Sequence, residues 1–91
     1  MSQPKVEMYF KPMCPYCIRA RNLLKSKGVE VEEYNAFLDA DHRKAMIDRS
    51  NGGRTYPQIF IDGEHVGGSD DLHALDRAGK LDTMLQGAAC G

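Results

Sequence analysis

Two cysteines stand three residues apart in Lys11-Pro12-Met13-Cys14-Pro15-Tyr16-Cys17, between an apolar run and a basic one. Such a pair supports thiol–disulfide exchange: one thiolate attacks a disulfide sulfur, and the second thiol displaces the mixed disulfide that results. The attack requires an anionic sulfur. Cys14 lies where a helix is expected to begin, so it faces unpaired backbone N–H groups and the positive end of the helix dipole. Pro15 suits the first helical position because it has no N–H to leave unpaired. Residues 11–29 contain Lys11, Arg19, Arg21, Lys25 and Lys27 and no acid, so the local charge also favours an anion. Cys14 is therefore read as the nucleophile and Cys17, one turn further in, as the resolving thiol.

Other uses of a Cys-x-x-Cys pair fit less well. A structural zinc site takes four ligands, and the remaining candidates, Cys90, His42, His65 and His73, form no second close pair. No metal site is expected. A structural disulfide across so short a loop would constrain little chain entropy. The three histidines read as surface residues without a role. Cys90, beside the terminal Gly91, is left unassigned.

The elements that must position the dithiol follow from periodicity. Lys5–Phe10 is short and apolar and reads as a strand that Pro12 terminates. Ile18, Ala20, Leu23 and Leu24 give the next segment, 15–27, a helical stripe that Gly28 closes. Residues 29–34 read as a second strand. Asp39 is placed to cap a second helix over 40–51, whose apolar content is thin. Gln58–Ile61 is a strand, Asp62-Gly63 a type I′ hairpin turn, and Glu64–Val66 the returning strand. Ser69 is placed to cap a last helix carrying Leu72, Leu75 and Ala78, with Leu81, Met84 and Leu85 continuing its packing beyond Gly79. The order β-α-β-α-β-β-α predicts an α/β fold with a mixed four-stranded sheet and helices on both faces. With 91 residues there is room for one domain, read as 1–86, followed by a flexible tail, 87–91.

A net charge of −1 gives no field that would favour nucleic acid or a membrane surface. No run approaches the length of a spanning helix. The opening Met1–Lys5 leads into only a few apolar residues, unlike a secretory signal, which makes the cytoplasm the expected compartment. Cysteines there are more often catalytic than structural.

Two further constellations carry ligand-binding potential. In Thr55-Tyr56-Pro57, a cis bond before the proline would turn the Tyr56 backbone groups outward; a plain strand start is the alternative. In Gly67-Gly68-Ser69-Asp70-Asp71, two glycines ahead of a helix let a ligand reach the first-turn amides; a hairpin exit with a serine cap is the alternative.

Taken together, Cys14-Pro15-Tyr16-Cys17, Thr55-Tyr56-Pro57 and Gly67-Gly68-Ser69-Asp70-Asp71 resemble the dithiol glutaredoxins of the bacterial type, over about Lys5–Leu85. The resemblance implies a thioredoxin fold and a glutathione-dependent thiol–disulfide oxidoreductase that reduces protein–glutathione mixed disulfides and protein disulfides. Glutathione is then co-substrate, regenerated indirectly by glutathione reductase and NADPH. Carried over by motif, Lys11 meets the glycine carboxylate of glutathione and Tyr16 lies beside its groove. Thr55 and Tyr56, ahead of Pro57, pair with the cysteinyl unit. Gly68, Ser69 and Asp70 hold the γ-glutamyl end. The implied partners are glutathionylated and disulfide-containing proteins, ribonucleotide reductase among the family's possibilities, and the implied state is a monomer. Tyr56 departs from the valine common at its position, which makes the groove wall bulkier. Ser69 stands where several bacterial members have cysteine. The alternative function is an iron–sulfur cluster carrier using glutathione, although relatives in that role usually read Cys-Gly-Phe-Ser.

Overall fold

A central strand, β1 (Val6–Phe10), carries the dithiol loop at its carboxyl end. In the computed structural model, which describes residues 4–90 and the side chains of 4–85, β1 is followed by α1 (Pro15–Ser26), β2 (Val31–Asn35) and α2 (Ala40–Arg49). Then come β3 (Gln58–Ile61), β4 (Glu64–Gly67), α3 (Ser69–Arg77) and α4 (Lys80–Cys90). The sheet order is β2-β1-β3-β4, with β1 and β2 parallel and both other pairs antiparallel. This is the mixed four-stranded sheet expected from the sequence. Among the described residues no helix is long and apolar enough to cross a membrane.

Alternation along β1 divides the core. Val6 and Met8 pack with Ala20 and Leu24 of α1, Leu72 of α3, and Leu81 and Leu85 of α4. On the opposite face Tyr9 packs with Phe60, Ala36 and Met46 of α2. β3 lies between two partners and is buried along its whole length, as its unbroken Gln-Ile-Phe-Ile run requires.

The thin apolar stripe of α2 is explained by an ion pair. Arg49, in its last turn, donates to both carboxylate oxygens of Glu7 at 2.9 and 3.1 Å and to the Tyr9 hydroxyl at 2.9 Å. Its guanidinium also lies 4.2 Å from the Phe60 ring centroid. Tyr34 adds a hydroxyl donor to Glu7 at 3.2 Å. A buried, inward-facing glutamate on the central strand is thus neutralised by the helix that covers it. Charge anchors this helix where hydrophobic area is scarce.

Local details differ from the sequence reading: α2 ends at Arg49, two residues early, with Ser50 as its C-cap, and three further differences follow. β2 starts at Val31 and ends at Asn35, later than expected, because Ala36 is drawn into the core after the strand, its N–H bonded to the Phe10 carbonyl at 3.0 Å. Gly68, not Ser69, is the N-cap of α3: Asp71 accepts the Gly68 N–H at 3.1 Å, and Ser69 occupies the first helical position. Beyond Gly79 (φ 75°) the chain turns into a separate helix, α4, so an eighth element extends the expected order. The α4 backbone is helical as far as Cys90. The expected tail therefore has helical backbone over 87–90, whereas the side chains from 86 onward, the Cys90 thiol among them, and all of Gly91 lie outside the described residues.

The Arg49 hydrogen bonds hold the Glu7 carboxyl below the usual carboxylate range, against the opposing effect of burial. A depressed carboxyl contributes stability above its unfolded value, near 4.5, that is lost as pH falls through the folded value. Arg49→Ala should cost about 2–3 kcal/mol at pH 7, less than for a fully buried pair because the arginine is partly exposed. In that variant Glu7 stays desolvated with only the Tyr34 hydroxyl and the Lys5 charge to oppose burial, so protonating it relieves the loss of its partner. The deficit therefore shrinks toward pH 4, which denaturant unfolding of both proteins at several pH values will test.

Candidate active site

Cys14 is the N-cap of α1, with extended backbone (φ −98°, ψ 113°), and Pro15 opens the helix behind it. The Cys14 Sγ accepts the Cys17 backbone N–H at 3.3 Å, so the sulfur fills the position a serine or aspartate oxygen takes in an ordinary cap. Both cysteines are free and buried, Cys14 3% and Cys17 1% exposed, so a disulfide partner must bring its sulfur to them. The residue before the cap, Met13, adopts a left-handed backbone (φ 58°) and projects almost wholly into solvent.

The two thiols occupy different environments. Burial, the hydrogen bond with Cys14 and the charge on that neighbour push the Cys17 thiol up to about 12; a Lys11 backbone N–H and Arg21 oppose the shift. At neutral pH Cys17 thus keeps its proton.

Beside the dithiol lies an open groove of about 380 Å³, lined by Tyr16, Gly53, Thr55, Tyr56, Gln58, His65 and Gly67–Asp71. Six of the residues singled out from the sequence meet there: Tyr16, Thr55, Tyr56, Gly68, Ser69 and Asp70. Tyr56-Pro57 is a cis peptide, and Pro57 is fully buried. A side chain at Gly68 would lie 3.4 Å from the Pro57 carbonyl oxygen, so the two loops touch behind the groove. Lys11 reaches this region through Tyr56, its Nζ 5.9 Å from the ring centroid. The Tyr56 hydroxyl is itself tied to the Ala36 carbonyl at 3.2 Å, and Phe37 packs against the ring edge at 6.5 Å. The bulkier wall is thereby fixed rather than swinging across the groove.

At the far side the groove meets the N-terminus of α3. The Gly68 N–H is occupied by Asp71, while those of Ser69 and Asp70 belong to the first turn, where no intrahelical acceptor exists. Gly67 takes φ 115°, and a Cβ there would collide with the Asp71 carboxylate, so this turn requires glycine. Such a wall suits a carboxylate ligand.

Five lining residues were not singled out from the sequence as ligand-facing: Gly53, Gln58, His65, Gly67 and Asp71. Gly67 and Asp71 had been named only as part of the Gly-Gly-Ser-Asp-Asp run. Gln58 and His65 carried no signal, since their meeting at 2.7 Å depends on the register of the β3–β4 pair. His73 donates from Nδ1 to the Ser69 carbonyl at 2.8 Å, and His42 stacks on Tyr34 at 5.2 Å.

Known proteins resemble this chain throughout. The glutaredoxin family model matches residues 6–66. Glutaredoxin 3 of Escherichia coli is 54% identical over 81 residues, 89% of this chain and 96% of that protein. A probable glutaredoxin of Synechocystis is 56% identical over 81 residues, 89% of this chain and 92% of its own. Among solved structures, the buckwheat glutaredoxin–glutathione complex superposes with a TM-score of 0.82 at 29% identity, covering 94% of this chain and 80% of that one. Brucella melitensis glutaredoxin gives 0.79 at 48% identity, covering 93% and 91%.

The difference between the two thiols predicts their order of alkylation. Brief treatment with iodoacetamide at pH 7, read by peptide mass mapping, should label Cys14 well before Cys17. In Cys14→Ser, Cys17 should stay nearly inert at pH 8, because burial, the largest influence on it, remains.

Proposed function

This chain belongs to the glutaredoxin family of thiol–disulfide oxidoreductases, and from that membership we propose that glutathione is its co-substrate and that protein–glutathione mixed disulfides and protein disulfides are its oxidised substrates. The observation that carries the reading is the capping sulfur of Cys14 beside the protonated Cys17, next to a groove built for a small peptide. The Cys14 thiolate attacks the glutathione sulfur of a mixed disulfide. The client thiolate leaves and takes a proton, and Cys14 is left bonded to glutathione. A second glutathione thiolate attacks that glutathione sulfur, releasing glutathione disulfide and restoring the Cys14 thiolate. The client leaves as the reduced thiol, the two glutathione sulfurs end joined in one disulfide, and the enzyme ends as it began.

For a protein disulfide the first bond forms between Cys14 and the client. Cys17 then loses its proton, attacks the Cys14 sulfur and expels the second client thiolate. The Cys14–Cys17 disulfide that remains is reduced by two glutathione molecules.

Glutathione has a carboxylate at each end and an ammonium at one, and the groove residues match that pattern. Lys11, held against Tyr56, would meet the glycine carboxylate. The backbone of Thr55 and Tyr56 serves the cysteinyl unit ahead of Pro57. The Ser69 and Asp70 amides serve the γ-glutamyl carboxylate, with the Asp70 side chain for its ammonium. Glutathione reductase with NADPH would act only through the glutathione pool. The reading places the enzyme in the cytoplasm as a monomer.

The test is glutathione-dependent reduction of a glutathionylated peptide and of a protein disulfide. Cys14→Ser should lose at least about a hundredfold in kcat/KM on both substrates. Cys17→Ser should stay within about fivefold of wild type on the peptide and lose the protein disulfide activity. Wild type that is inactive with glutathione yet active with a flavin-dependent thioredoxin reductase would contradict the proposal.

A further inference from the structure

We propose that Gln58 and His65 are positioning residues that hold Thr55 with its hydroxyl proton aimed into the groove, so that the groove offers a neutral hydrogen-bond donor to a carboxylate of the bound peptide. The inference rests on the glutathione reading above.

The Gln58 side chain starts β3 and is 5% exposed, yet every polar atom it carries has a partner. Its Nε2 donates to the Thr55 carbonyl at 3.1 Å and to Thr55 Oγ1 at 3.0 Å, and its Oε1 lies 2.7 Å from His65 Nε2. A carbonyl oxygen can only accept, so the amide nitrogen of Gln58 must face Thr55 and the amide oxygen must face His65. His65 therefore carries its proton on Nε2, whether the ring is neutral or charged. The chain of donors runs His65 to Gln58 to Thr55. Because Thr55 Oγ1 already accepts from Gln58, its own proton is free to turn outward.

His65 is held for this task by the sheet. An irregularity between Ile59 and Phe60 pairs Phe60 with His65 but Ile59 with Gly67. The imidazole stacks on the Phe60 ring at 5.0 Å, tilted 30°. On the other side, a Cβ at Gly53 would stand 3.0 Å from Gln58 Nε2 and closer still to Ser50 Oγ, so the chain runs tightly past the amide. Gly53, Thr55, Gln58 and His65 all line the groove, so the network forms its wall rather than a remote brace. Hydrophobic residues would have filled the same space if packing were all that was needed. The charge of Lys11 can attract a carboxylate from a range of directions, whereas a fixed hydroxyl selects one.

The experiment is initial-rate kinetics on a glutathionylated peptide, with melting temperatures measured in parallel. His65→Phe keeps a ring for the Phe60 stack and removes only the donor. It should raise KM about fivefold while kcat stays within about twofold, the size expected for one lost hydrogen bond. Gln58→Leu, which releases both Thr55 contacts, should raise KM about tenfold. His65→Gln, which still presents an N–H, should return KM to within about twofold of wild type. Melting temperature should not follow this order. The proposal is overturned if His65→Phe and Gln58→Leu both keep the wild-type KM, or if kcat falls and KM does not. It is also overturned if His65→Gln is no better than His65→Phe. His65 is exposed, so its variants report even if Gln58→Leu fails to fold. Wild type without turnover of the peptide would overturn the glutathione reading, and this inference with it; normal wild-type turnover with unmoved variants overturns this inference alone.

Discussion

The contact on which the reacting end depends is the 3.3 Å hydrogen bond from the Cys17 backbone N–H to the Cys14 sulfur. It makes the Cys14 sulfur, the proposed nucleophile, a structural cap of α1, so the first turn cannot form without bringing its amides to the sulfur. The same turn carries Cys17 beneath the surface, where desolvation keeps its proton on. One helix start thus produces both the capping sulfur and the buried, protonated one. Pro15 and the strand before it fix where that start occurs: β1 delivers the loop at the centre of the sheet, between β2 and β3.

The groove is assembled from segments far apart in sequence, and the sheet is what brings them together. β3 begins directly after cis-Pro57, and β4 ends at Gly67, where α3 starts. The antiparallel pairing of β3 with β4 therefore brings the Thr55–Pro57 loop and the α3 N-terminus to the same edge. Tyr16 reaches the groove from the first turn of α1. On the opposite face the Glu7–Arg49 pair holds α2 against β1 and β3. The loop before α2 supplies Ala36, whose carbonyl anchors Tyr56.

Much of this was legible in the sequence wherever a local rule decides the outcome. Asp62-Gly63 specified the hairpin, and both residues do take left-handed backbone (φ 51° and 82°). Cys14-Pro15 specified a helix start, and Gly28 (φ 77°) its close. Ser69 misled because serine is a good cap in isolation. The Gly67-Gly68 turn lets Asp71 reach back to the Gly68 amide and moves the cap one residue earlier. α4 was hidden because Leu81 and Leu85 continue the apolar periodicity of α3 across a change of direction at Gly79. The Arg49–Glu7 pair and the Gln58–His65 pair link residues whose separations, 42 and 7, follow from topology and strand register. No spacing rule reaches such contacts; they become visible only once the sheet is built.

In the proposed function, glutathione bonded to Cys14 occupies the groove between Lys11, Tyr56 and the start of α3. The most direct measurement is an isotope-filtered NMR spectrum of Cys17→Ser trapped as its Cys14–glutathione mixed disulfide. Intermolecular contacts are expected from the cysteinyl and γ-glutamyl protons to Tyr56, Gly68 and Ser69, and from the glycine methylene to Lys11. Contacts confined to the exposed side of α1, around Ile18, with none to Tyr56 or Ser69, would contradict that binding mode.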